Sequence, residues 1–367
     1  MKPLPKLCLQ ALALTLLYLL VRKLYKAISA VRYVNVCYHQ TSYEAIGQSD
    51  AFEALTRRLE KGFDRPPAFF MFNRFALEMA LNWCCNTEEM DGVHERMVFV
   101  TFDKESDRMI EKYWPKIIRF YWPISCLENR FSSGDPEYQV LFLFRTNLAR
   151  NLLARGFSFW MSQQDTFWRK NLFELQLEKN TSFDALFDRM GYDENCGRNS
   201  WMNGANFFFH PTEASKSMLE KVSYYVSRWY VLDIGLMIYY CHSDQIKCAY
   251  APYKYISGWE WLYSKQTDPP YLIQMDGEDD TGDKIDEMRK HTFYFLKADG
   301  HSCNASAVRN AQKLTTSGRL KVGGKSWSKL EHKIYINTVE FLLRLPVVGP
   351  LVRKFTIIVA YYLVLTM

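Results

Sequence analysis

Residues 156–171 read GFSFWMSQQDTFWRKN. A short apolar run, Phe157, Phe159, Trp160 and Met161, breaks off into Ser162, Gln163, Gln164 and Asp165, then resumes with Phe167 and Trp168. A strand buried on both faces reads as a continuous apolar run, and ligands of open α/β sheets bind outside the carboxyl ends of such strands. The stretch predicts a strand that ends in a site, with Asp165 as its first candidate. A surface turn or a helix cap would also place an aspartate there, so the surrounding chain has to separate the two readings.

Upstream, the same pattern recurs. Residues 68–72 are apolar and lead through Asn73 into a helical spacing of Leu77, Ala80, Leu81 and Cys84; residues 97–102 (MVFVTF) end in Asp103 and lead into a helix over 106–113. A third strand is expected within 116–122, and Asp135-Pro136 opens a long helix that Gly156 closes. Strands alternating with helices predict an α/β fold with a mainly parallel central sheet flanked by helices. No GxGxxG, GxxxxGK[ST] or GxSxG occurs, so a dinucleotide fingerprint, a P-loop and a nucleophile elbow are all absent.

Composition excludes other classes. The 367-residue chain is long enough for a sizeable core, and 16% aromatic with 23% charged residues describes a folded protein. The net charge of +6 equals the six basic residues that precede the first acid, Glu44, so the rest of the chain is neutral and a nucleic-acid-binding body is not indicated. Those charges flank residues 7–21, LCLQALALTLLYLLV, which carry no charge. Arg22, Lys23 and Lys26 follow at once. The segment is read as an uncleaved N-terminal transmembrane signal anchor, although fifteen helical residues span only about 22 Å. Eight cysteines lie beyond it, a number that permits disulfides in an oxidising compartment, with connectivity left open. Asn180-Thr181-Ser182 and Asn304-Ala305-Ser306 are glycosylation acceptors in a lumenal chain.

Downstream, residues 182–190 read as a short helix and Asn203-Gly204 as a tight turn into the strand Phe207-Phe208-Phe209. A helix follows from Pro211 to about Trp229, and Asp244 ends another segment. The expected organisation is a cytoplasmic tail and anchor (1–30), a stem and first helix (31–67, with the helix near 50–61), a main domain (68–297), a Ser/Gly/Lys-rich linker (298–330) and a C-terminal amphipathic and apolar segment (331–367). The last thirteen residues are too few to cross a bilayer as a helix, and both packing on the domain and lying on a membrane interface fit them.

The order of these motifs resembles the nucleotide-diphospho-sugar transferase domain family, of the nematode type. The likeness rests on Asn82-Trp83, Val100-Thr101-Phe102-Asp103, residues 138–160, Asp165-Thr166-Phe167-Trp168-Arg169, Asn203-Gly204-Ala205-Asn206-Phe207 and Ser243-Asp244-Gln245. It implies a GT-A-like fold and a membrane-anchored, single-pass type II Golgi glycosyltransferase with a lumenal catalytic domain. Such an enzyme moves a sugar from a nucleotide diphosphate to a glycan or glycoprotein acceptor. The diphosphate is the leaving group, and Mn²⁺ or Mg²⁺ held by carboxylates would neutralise its growing charge. The family has Asp-x-Asp at this strand end, whereas this chain has Gln163-Gln164-Asp165.

By the resemblance, Asp165 and His291 would hold the metal. Asp103, Gln163, Trp168, Asn203, Gly204 and Asn206 would bind the nucleotide sugar, and Asp244 would act as catalytic base. The missing carboxylate at Gln163 also admits a catalytically inactive member that binds glycans or assembles with partners.

Overall fold

The computed structural model describes residues 4–62, 65–132, 134–195, 201–243, 245–275 and 284–320, with isolated positions between 334 and 347. Among them, ten strands form two sheets. Strands β1 (Ala68–Phe72), β2 (Met97–Thr101), β3 (Ile118–Tyr121) and β4 (Phe159–Met161) join β6 (Ala185–Arg189), β7 (Met202–Phe209) and β8 (Cys248–Tyr250) in the order β3-β2-β1-β4-β7-β6-β8. Strands β5 (Thr166–Trp168), β9 (Ile256–Gly258) and β10 (Leu272–Gln274) make the second, three-stranded sheet. The first four strands run parallel to one another and β6 runs parallel to β8, while β7 is antiparallel to both β4 and β6.

The helices are α1 (Leu4–Thr41), α2 (Tyr43–Gly47), α3 (Asp50–Gly62), α4 (Arg74–Thr87), α5 (Val93–Arg96), α6 (Lys104–Tyr113), α7 (Pro136–Ala154), α8 (Glu213–Val226), α9 (Asp233–His242), α10 (Lys284–Lys290) and α11 (Ala305–Thr316). They cover both faces of the main sheet. Successive β1 side chains point to opposite faces. Phe70 stacks on Phe99 and meets Trp83 of α4, whereas Phe69 belongs to the layer with Phe144 and Leu148 of α7. Both phenylalanines are fully buried, and each such side chain contributes about 1.5–3 kcal/mol by leaving water.

Several expectations change. Residues 182–190 are not a helix: they contain β6, whose residues are buried on both faces between β7 and β8, so neither helical nor alternating periodicity is visible. Asn203-Gly204 is not a hairpin turn but lies inside β7. Residues 31–41, expected as a stem, continue α1 and dock on the body: Ala30, Val34 and Cys37 are buried, and Asn147 of α7 donates from Nδ2 to the Thr41 carbonyl at 2.8 Å. Residues 298–330, expected as a linker, contain α11, capped by Asn304 and packed through Val308 and Ala311.

Among the described residues no helix is long and apolar enough to cross a membrane, so the expected transmembrane anchor finds no support. The uncharged stretch is short, and α1 runs on past it through Arg22, Lys23 and Lys26. The expected C-terminal segment lies outside the described residues apart from isolated positions.

Disulfides join Cys37 to Cys126, Cys85 to Cys303 and Cys241 to Cys248. The first ties α1 to the loop after β3, and the second ties α4 to the chain just before α11. Cys84 is a buried free thiol whose pKa burial pushes well above the ordinary value.

Candidate functional site

The chain visits β1, β2 and β3 in one direction across the sheet, then returns to place β4 on the other side of β1. Strand order therefore reverses between β1 and β4, and the crevice outside the carboxyl ends of such a pair is where open α/β sheets take ligands. Strand β4 delivers Ser162, Gln163, Gln164 and Asp165 to that end of the sheet. Asp165 then starts the second sheet, its carbonyl accepting from Met275 N–H at 2.8 Å beside the β5–β10 pairing.

Asp165 is buried, with 3% of its surface exposed, and it ends a continuous polar chain. Gln274 donates from Nε2 to Asp165 Oδ1 at 3.0 Å and accepts at Oε1 from Asn206 Nδ2 at 2.8 Å. The same Asn206 amide donates to Asp188 Oδ2 at 3.0 Å. Gln274, Asn206 and Asp188 are fully buried. The amide orientations are fixed by this alternation, because acceptor carboxylates stand at both ends. On the solvent side, Lys284 Nζ forms an ion pair with Asp165 Oδ2; its side chain is 36% exposed against 4% for the aspartate.

Asp188 explains why β7 carries small and amide residues. Phe187 pairs with Phe207, but Arg189 pairs with Met202, so four residues of β7 stand opposite Asp188 alone. Asp188 accepts from Gly204 N–H at 2.8 Å and from Asn206 N–H at 2.9 Å, satisfying backbone donors that the bulge removes from the ladder. Gly204 has φ +74, and a Cβ there would run into Ile234. Its carbonyl accepts from Arg145, which is also paired with the buried Asp233 at 2.7 Å. Burial pushes the Asp188 carboxyl up to about 6, against these three N–H donors, which favour the anion.

Of the residues expected at the site, Asp165, Gly204 and Asn206 belong to this one network. Gln163 flanks it, its carbonyl accepting from Thr166 Oγ1 at 3.2 Å, and Asn203 is half-buried at the start of the bulge. Trp168 does not offer a face to a sugar: it is 1% exposed and meets Trp83 and Phe173 edge-on at 5.5 and 5.3 Å. Asp103 is the N-cap of α6, accepting from Ser106 N–H at 2.9 Å and from Arg74 N–H at 2.6 Å, which pins two helix starts together. His291 is buried, 3.9 Å from a Glu287 oxygen. Asp244 lies outside the described residues.

The sequence reading missed Asp188, Gln274 and Lys284. Lys284 stands 119 positions from its partner, and no local pattern joins the two.

Among the described residues the donor set does not fit a divalent metal. Asp165 is the single carboxylate at the strand end, one of its oxygens is taken by Gln274 and the other by the Lys284 ammonium, and Gln163 is neutral. Among the described residues no group of three His, Cys, Asp or Glu is placed to hold a metal ion.

A mostly parallel sheet between helices, with polar residues following β4 where strand order reverses, defines an open α/β fold. Residues 92–288 match the model of the nucleotide-diphospho-sugar transferase family, and the chain belongs to that family. It is similar in structure to the WbbM bifunctional glycosyltransferase, with 9% identity and TM-score 0.42 over 74% of this chain; it spans about half (52%) of that one. It is also similar to mouse xyloside xylosyltransferase 1, with 9% identity and TM-score 0.38 over 57% of this chain and 97% of the other. A third is galactosyltransferase LgtC in complex with donor and acceptor sugar analogs, with 11% identity and TM-score 0.38 over 71% and 98%. No curated protein matches the chain.

Proposed function

We propose that this protein is a glycosyltransferase that takes a sugar from a nucleotide-diphosphate donor and passes it to a glycan or glycoprotein acceptor. The observation that carries the reading is the position of Asp165: a buried, fully hydrogen-bonded carboxylate at the end of β4, where strand order reverses, in a chain of the nucleotide-diphospho-sugar transferase family. Burying a carboxylate is costly unless charge and hydrogen bonds compensate it. A mere turn would not need the three-residue relay behind it.

The setting proposed is the lumen of the Golgi. Three disulfides support it, since such bonds persist in oxidising compartments. Exposed Leu14, Leu17, Leu20 and Leu24 on α1 support attachment to a membrane at that end. The second reading, a non-catalytic member that binds glycans or partners, is favoured by one observation, the glutamine at position 163 in place of a second acid.

Isothermal titration of the full chain with UDP- and GDP-sugars tests the proposal. At least one donor is expected to bind. Binding of glycans alone, with no nucleotide sugar bound, would favour the second reading.

A further inference from the structure

We infer that the ammonium of Lys284 takes the place of a divalent cation, so that the site binds the donor's diphosphate without a metal. The inference rests on the transferase reading above and concerns the same crevice. The ion pair between Lys284 and Asp165 spans 119 positions and joins the first residue of α10 to the end of β4. Within this pair one carboxylate faces one ammonium. A dication would have to displace Lys284 from Asp165 Oδ2 or sit beside a like charge, and Asp165 Oδ1 is already bonded to Gln274. The ammonium is the outer member of the pair: its side chain is 36% exposed while the carboxylate is 4% exposed. Asp165 holds it facing solvent in the crevice, where phosphate oxygens can approach.

A lysine ammonium is a compact point charge with three donors, well suited to phosphate oxygens. In the transfer, the bond between the sugar's anomeric carbon and the β-phosphate oxygen breaks and its electron pair stays on that oxygen. The acceptor hydroxyl oxygen forms the new bond to the anomeric carbon and releases its proton to water. Lys284 stays protonated and donates hydrogen bonds to the departing diphosphate. Asp165 acts through it as a positioning residue.

The test uses the full chain, UDP and GDP as probes, and three conditions: EDTA, MgCl₂ and MnCl₂. Calorimetric affinity for the preferred nucleotide is expected to agree within about twofold across the three, and Lys284→Gln to weaken it at least about tenfold, with Lys284→Arg recovering most of the loss. Electron paramagnetic resonance of MnCl₂ alone should show no loss of the free-ion signal on adding protein.

An affinity that rises tenfold or more with Mn²⁺, or Mn²⁺ bound by the wild type and released by Asp165→Ala, overturns the inference while leaving the transferase reading intact. Failure of UDP, GDP and their sugars to bind under every condition overturns both. Should Lys284→Gln not fold, the wild-type comparison of EDTA with MnCl₂ still decides.

Discussion

Gln274 closes β10 of the three-stranded sheet, Asp165 lies on the connection from β4 of the main sheet to β5, and a 3.0 Å hydrogen bond from Gln274 Nε2 to Asp165 Oδ1 joins them. Gln274 is the last residue of β10, and its carbonyl oxygen faces the amide of Asn206 in the main sheet. One buried amide thus links the three-stranded sheet, the end of β4 and the β7 bulge.

Substituting Gln274→Leu removes both hydrogen bonds and leaves Asp165 Oδ1 and one Asn206 N–H without these partners. An unsatisfied buried polar group costs about 1–3 kcal/mol. The variant is expected to lose ~2–4 kcal/mol of stability in urea unfolding, with a lower midpoint and an unchanged slope. A loss below about 0.5 kcal/mol would show that water replaces the relay at no cost.

Gly204 is constrained twice, by φ +74 and by Ile234 against the place a Cβ would occupy. Gly204→Ala should destabilise by at least about 2 kcal/mol, because strain at positive φ and overpacking add. The double variant Gly204→Ala with Ile234→Ala should recover the steric part and keep the backbone part. Full recovery would mean that the backbone conformation itself costs nothing.

His94 is buried beside Trp83 and Trp114 and shares a hydrogen bond of 2.9 Å with Thr87. Burial lowers its pKa from 6.5 to about 4. In the unfolded chain the imidazole takes a proton as pH falls below 6.5, and the native state refuses it until about 4. Stability is therefore complete above 6.5 and is lost as pH falls through that window. Asp188 contributes with the opposite sign: raised from 3.8 to about 6, it stabilises in acid and that contribution is lost as pH rises toward 6. The free-energy difference between His94→Gln and wild type isolates the histidine. It should move in favour of the variant by roughly 1.4 kcal/mol per pH unit on going from pH 6.5 to pH 4. A difference independent of pH would show that His94 titrates normally.

Much of the fold could be read because its signals are local. Strand β1 was expected at 68–72 and is Ala68–Phe72, because its apolar run is closed by Asn73, which caps α4. Likewise β2 ends beside the cap Asp103, and α7 opens on Asp135-Pro136. Where a signal is tertiary, composition misleads. Residues 182–190 were expected as a helix because β6, buried on both faces, lacks the alternation that marks a strand, and 298–330 look like a linker although Asn304 caps a helix whose Val308, Ala311 and Thr315 are buried.

The site was half legible. Asp165 announces itself by interrupting an apolar run, and the small residues of β7 mark a close approach. Asp188 was hidden because its acceptors serve backbone donors 16 and 18 positions away. Lys284 was hidden because it lies among the acids of residues 276–286 and its partner is 119 positions away.

The central claim is that the crevice at the end of β4 releases a nucleoside diphosphate from a nucleotide sugar. The most direct measurement is the appearance of UDP or GDP when the full chain is incubated with a panel of nucleotide sugars and glycan acceptors, with Asp165→Ala in parallel. Release from at least one donor, reduced at least about tenfold in the variant, equivalent to ~1.4 kcal/mol of transition-state stabilisation, is the predicted result. Release at an equal rate by Asp165→Ala, or no release from any donor, would contradict it.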